Sequence, residues 1–192
     1  VPIPDFDARG LIPPVDMQNP AGPERSPYFA TTVELVHRFG TTPHRRALIR
    51  NLITYRQLLA QDGYDTGVQF IDGSFVENVE LIGNREPGDI DVFSLVRVPE
   101  KYLADFTLWE NHGAAYWMNE IINRALNKGR FSLDTFAIIV DDQVPIFDAM
   151  GDIMYWYGLF SHQRETLHWK GFVALDVNAA DDAAALELLE GL

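Results

Sequence analysis

The apolar positions change period along the chain, and each change marks an element. Thr31-Thr32-Val33-Glu34 has the spacing of a capping box, and Val33, Val36 and Phe39 follow at helical spacing until Gly40. Thr42 can cap a second helix with Pro43 in its first turn. Its apolar face runs through Leu48, Ile49, Leu52, Tyr55, Arg56 and Leu59, and Gly63 stops it. The period then shortens. Residues 67–71 read as a strand, Asp72-Gly73-Ser74 as a turn and 75–88 as irregular chain. Residues 89–98 (DIDVFSLVRV) alternate and are β-rich, which predicts a strand. A short helix is expected within 100–109 and a longer one over 114–127, with Trp117, Ile121, Ile122 and Leu126 apolar. Residues 131–140 predict a strand ended by a turn at Asp141 and Asp142. A helix over 145–160, a strand over 170–177 and a helix over 180–190 complete the pattern, the last with Asp181 and Asp182 near its N-terminus. Helices followed by mixed strands and helices imply an α+β fold. Residues 1–30 are rich in proline and turn-formers. They predict an extended N-terminal arm anchored by Ile3, Phe6, Leu11 and Ile12, leaving 31–192 as a single domain.

Composition narrows the function. The 192 residues contain 12 Phe, 7 Tyr and 4 Trp, enough large apolar surface to exclude disorder of the whole chain. The tryptophans read as core residues. Cysteine is absent, which excludes disulfides, a thiol nucleophile and cysteine-ligated zinc. The five histidines have no zinc-site spacing. No run of eighteen apolar residues and no signal-peptide character are present, so a soluble cytoplasmic protein without a membrane partner is expected. A net charge of −13 argues against a broad nucleic-acid surface, which needs clustered cations. It leaves room for a local nucleotide site whose field a divalent metal would invert. Phosphate-loop, dinucleotide and serine-hydrolase glycine motifs are missing.

One constellation carries chemistry. In a strand, residues i and i+2 share a face, so Asp89 and Asp91 present two carboxylates together while Ile90 and Val92 face the core. Like charges at that separation need a cation or a proton between them. Hard oxygen donors suit Mg²⁺ or Mn²⁺. The same pattern also fits a half-exposed edge strand. Upstream, Gly73 would let the backbone approach a phosphate and Ser74 would add a hydroxyl. Two structural readings compete: Ser74 with Glu77 as a capping box, and Asp72-Gly73 as a hairpin turn.

Strand, Gly-Ser, a short segment, then Asp-apolar-Asp-apolar resembles the signature of the nucleotidyltransferase superfamily with the DNA polymerase β-type fold. Here it stands as Phe70-Ile71-Asp72-Gly73-Ser74 and Arg85-Glu86-Pro87-Gly88-Asp89-Ile90-Asp91-Val92. The whole chain resembles an uncharacterised bacterial family of that superfamily. The likeness lies in Ile3 to Pro14, Gly73 to Phe75, Pro87 to Val92 and Arg164 to Gly171. Small superfamily members often carry a basic residue directly after Gly-Ser; here it is Phe75. The resemblance implies a nucleotidyltransferase-type mixed sheet flanked by helices and a third carboxylate on a later strand, for which Asp134 is the best candidate. It further implies that Asp89, Asp91 and Asp134 hold Mg²⁺ or Mn²⁺, with Asp134 acting on the acceptor hydroxyl. Gly73 and Ser74 would seat a nucleoside triphosphate, and Arg164 and Lys170 would supply cations, with Arg85 and the Lys128/Arg130 pair as further options. Such folds occur in bacterial toxin–antitoxin and phage-defence systems. The expected activity is metal-dependent nucleotidyl transfer to an unknown hydroxyl acceptor. The alternative is a non-catalytic acidic binding or regulatory protein, antitoxin-like, that keeps the fold and engages a protein partner.

Overall fold

The computed structural model describes residues 3–141 and 144–192; Asp142, one of the expected turn residues, lies outside them. The first two helices form as their caps dictate. In α1 (Thr32–Phe39) the Thr31 hydroxyl accepts from the Glu34 N–H at 3.1 Å, and the Glu34 carboxylate accepts from the Thr31 N–H at 2.7 Å. α2 (Pro43–Gln61) is capped by Thr42, and every residue of its expected apolar face is buried. Arg56 lies on that face because its guanidinium is fully partnered: it donates to Asp182 at 2.9 Å and to the Gln69 side-chain oxygen at 2.6 Å.

Five strands make one mixed sheet in the order β1-β5-β2-β3-β4. They are β1 (Tyr28–Ala30), β2 (Gly67–Asp72), β3 (Ile90–Val96), β4 (Leu133–Ile139) and β5 (Val173–Asp176). β2 runs antiparallel to both β3 and β5, whereas β3 with β4 and β1 with β5 are parallel. Strand alternation divides the core. Ile71, Val92 and Val173 face the layer of α1, α2 and α9 (Asp182–Glu190), while Phe70, Phe93 and Phe172 face α8 (Ile146–Phe160). Trp156 of α8 stacks on Phe93 with ring centroids 4.5 Å apart. Among the described residues no helix is long and apolar enough to cross a membrane.

The arm anchors Ile3, Leu11 and Ile12 are buried, and Phe6 packs against the core. The last three residues of the arm form β1, which exists because β5, far along the chain, offers it a ladder. Residues 75–88 are more ordered than expected. A 3₁₀ turn (Gly73–Val76) is followed by α3 (Val79–Gly83), capped by the Asn78 side chain. Neither structural reading of this segment forms. Asp72 ends β2, and Glu77 turns inward to meet Lys170 instead of capping. The expected helix over 114–127 is broken. After α4 (Glu100–Ala104), helical chain alternates α5 (Phe106–Leu108) and α6 (Ala114–Tyr116) with π turns at Trp109–Gly113 and Trp117–Ile121. Asn123 then caps a separate α7 (Arg124–Phe131), because its side chain accepts from the Leu126 N–H at 3.1 Å. Trp169, expected in the core, is 48% exposed.

Candidate active site

Strand register builds the site. Asp72 of β2 pairs with Asp91 of β3, and Asp91 pairs with Asp134 of β4, so three carboxylates stand in one row across adjacent strands. Asp89 precedes Asp91 by two residues in the same extended segment and joins that face. The row lies at one end of the sheet, on the side covered by α8. A cleft of about 330 Å³ opens there. All seven residues singled out in the sequence line it: Gly73, Ser74, Asp89, Asp91, Asp134, Arg164 and Lys170. Arg85 and Lys128 also reach it, whereas Arg130 pairs with Glu120 at 2.7 Å.

The Gly-Ser turn is held tightly. Gly73 has φ of +82°, and a Cβ there would sit 2.7 Å from an Asp91 carboxylate oxygen. Only glycine allows both the conformation and the approach. Arg45 of α2, 2% exposed, donates to the carbonyls of Phe75 and Glu77 at 2.6 Å each and fixes the exit of the turn. Phe75 itself is core, packed on Phe39.

Charge in the cleft is arranged in two tiers. At its floor Lys170 is 2% exposed, with its ammonium 2.8 Å from Glu77, 3.0 Å from Asp72 and 3.2 Å from the Gly73 carbonyl. The ammonium donates to Glu77 and to the Gly73 carbonyl, whereas Asp72 is held beside it as an ion pair, its buried Oδ1 without a hydrogen-bond donor among the described residues. Burial pushes the Asp72 carboxyl up to about 7 against the opposing pull of Lys170. Burial opposes the charge of Lys170, but Asp72 and Glu77 together raise its pKa. Glu77 also accepts from the Gln163 side chain at 3.0 Å, which ties the floor to the loop carrying Arg164.

The upper tier is more open. Burial raises the Asp91 pKa; Arg164, 3.4 Å away, opposes this, and the charges of Asp89 and Asp134 add to it. Asp134 accepts two hydrogen bonds from Arg124, at 2.7 and 2.8 Å, which hold its carboxyl below the usual range. Lys128 forms an ion pair with Asp89 that raises the lysine pKa. These three cations belong to exposed side chains, whereas Lys170 does not. Among the described residues, no group of three His, Cys, Asp or Glu side chains stands as a ready-made metal cage.

Asp72, Glu77 and Arg124 entered the site without having been singled out. Asp72 shares a strand face with Phe70, and its place in the acidic row follows only from register with β3. Arg124 lies four residues before Lys128 on one helical face, a spacing legible once α7 is separated from the preceding helix.

Fold and site together define an α+β chain with an acidic row at its strand ends and a glycine turn against it. The chain belongs to a family of unknown function, DUF6932, which matches residues 4–176. No curated protein and no solved structure matches it.

Proposed function

We propose that this chain is a metal-dependent nucleotidyltransferase of the polymerase β type. One observation carries the reading: Asp89, Asp91 and Asp134, from two neighbouring strands, share a cleft with Gly73 and Ser74. The donor set fits a hard divalent cation. It is all oxygen, and a cation would offset the burial, and after it the charges of Asp89 and Asp134, that raise the Asp91 pKa. Asp89, Asp91 and Asp134 would hold the metal. The exposed Arg124, Lys128 and Arg164 would have to release them, at the small cost typical of solvent-facing ion pairs. Bound there, Mg²⁺ or Mn²⁺ supplies neutralising charge for the triphosphate.

The residues of the chain do the rest. Gly73 and Ser74 seat the phosphates. Arg164 and Lys128, once free, are the cations that can reach them, while Lys170 stays engaged at the floor. The acceptor hydroxyl oxygen bonds to the α-phosphorus, the bond from that phosphorus to the bridging oxygen breaks, and pyrophosphate leaves. The hydroxyl proton passes to Asp134, which becomes an effective base only after Arg124 lets go. Mutually paired carboxylates and cations favour a second reading, a binding protein whose cleft stays latched. The test is transfer of label to bacterial lysate components from nucleoside triphosphates carrying ³²P at the α position and, in parallel, at the γ position. Incorporation that Asp91→Asn abolishes is expected. Label arriving only from the γ position would overturn nucleotidyl transfer.

A further inference from the structure

Apart from the side carrying Asp148 and Asp152, α8 is apolar around its circumference. Trp156, Tyr157 and Phe160 pack on the sheet, yet Ile146, Phe147, Met154 and Tyr155 are between 63% and 81% exposed. A helix apolar all round is normally buried, and a contiguous apolar patch of several hundred Å² marks an interaction surface. Taking roughly 200 Å² per large side chain, the exposed fractions of Phe147, Met150, Met154 and Tyr155, which share the outward side of α8, amount to on the order of 500 Å² of apolar surface. A standard interface buries about 800 Å² per partner.

The outward positions also carry a pattern. Phe147, Gly151, Met154 and Gly158 follow one another by four, three and four residues, the spacing of a coiled-coil seam. A Cβ built at Gly151 or Gly158 meets nothing within 4 Å, so no contact inside the chain requires glycine there. Glycine in mid-helix weakens the helix, which makes two on one outward face unexplained in a lone copy.

We propose that α8 is a self-association surface on which a second copy of this chain packs its own α8 antiparallel. A two-fold axis between residues 152 and 153 sets Phe147 of each copy opposite Gly158 of the other. It sets Met154 opposite Gly151 in the same way. Each large side chain then fills a notch left by a glycine, and one patch complements itself, as a two-fold interface requires. The acids of α8, Asp148 and Asp152, fall outside this seam. The glycine–large alternation selects a second copy over an unrelated apolar partner, because the same four residues supply both halves of the fit. Leu159 and Phe160 at the end of α8 line the cleft, so pairing would brace one of its walls.

Sedimentation of the full chain from about 1 to 100 µM tests this. A dimer is expected, tightened by added salt because each copy carries a net charge of −13. Gly151→Leu should weaken it at least about tenfold while leaving the fold intact by circular dichroism, since leucine is the better helix former. Exchanging knob and notch, Gly151→Leu with Met154→Gly, should restore it. A wild-type monomer throughout would leave the face to another protein or a lipid surface and overturn the proposal. A dimer indifferent to Gly151→Leu, or one not restored by the exchange, would overturn it as well.

Discussion

Replacing Lys170 by methionine tests the floor of the cleft. The ammonium is 2% exposed and pairs with Asp72 and Glu77, themselves 4% and 6% exposed. Removing one partner of a buried ion pair leaves uncompensated charge and costs about 3–5 kcal/mol. In a domain of this size that corresponds to a melting temperature lower by roughly 8–12 °C. The loss should depend on pH, and its sign follows from linkage. The folded-state pKa of Asp72, about 7, lies above its ordinary 3.8, so folding takes up a proton between those values. Stability from this group therefore falls as pH rises through that window. Lys170 has the same sign in a higher window: its raised pKa contributes stability that is full below its ordinary 10.5 and is lost as pH rises through the folded value. Without the ammonium, which opposes the effect of burial, Asp72 titrates higher still. The deficit of Lys170→Met should thus shrink as pH falls from 8 towards 6, by up to about 1.4 kcal/mol per unit as Asp72 becomes neutral. Urea melts of both proteins at three pH values measure it. A deficit below about 1 kcal/mol at pH 8, or one constant across the range, would refute the reasoning. Adding Asp72→Leu and Glu77→Met should recover much of the loss, because a packed apolar floor needs no charge.

Gly73→Ala should cost about 1–3 kcal/mol in denaturant melts, since φ of +82° and the 2.7 Å approach to Asp91 both oppose a Cβ. Arg56→Met should cost about 3–5 kcal/mol by stranding buried Asp182, whereas Arg124→Met, on an exposed pair, should cost under about 1 kcal/mol. The lowered pKa of Asp134 contributes stability above its ordinary 3.8 that is lost as pH falls through the folded value; acid titration of Arg124→Met should lack that step. Asp134→Asn should bind Mg²⁺–nucleotide within about tenfold of wild type, by calorimetry, while transfer falls at least about a hundredfold.

Local signals carried much of the architecture. Thr31, Thr42 and Pro43 announce their helices because caps are satisfied by neighbours in sequence. Asp89 and Asp91 were legible because a two-residue period fixes the face of a strand, and Asp134 because the resemblance implies a third carboxylate on a later strand. Features that depend on distant pairing were not. β1 needs β5, and Asp72 joins the acidic row only through register with β3. The position of Lys170 at the floor rests on two acids more than ninety residues away in sequence, Glu77 at a separation of 93. The break before α7 could have been read from Asn123, a strong capping residue inside an otherwise helical run.

The central claim is tested most directly by equilibrium binding of a non-hydrolysable nucleoside triphosphate with and without Mn²⁺, on the wild-type chain and on Asp91→Asn. Binding that requires Mn²⁺ and is lost in a folded Asp91→Asn variant is expected. Binding that is indifferent to both the metal and Asp91, or no nucleotide binding by the wild-type chain, would contradict the account.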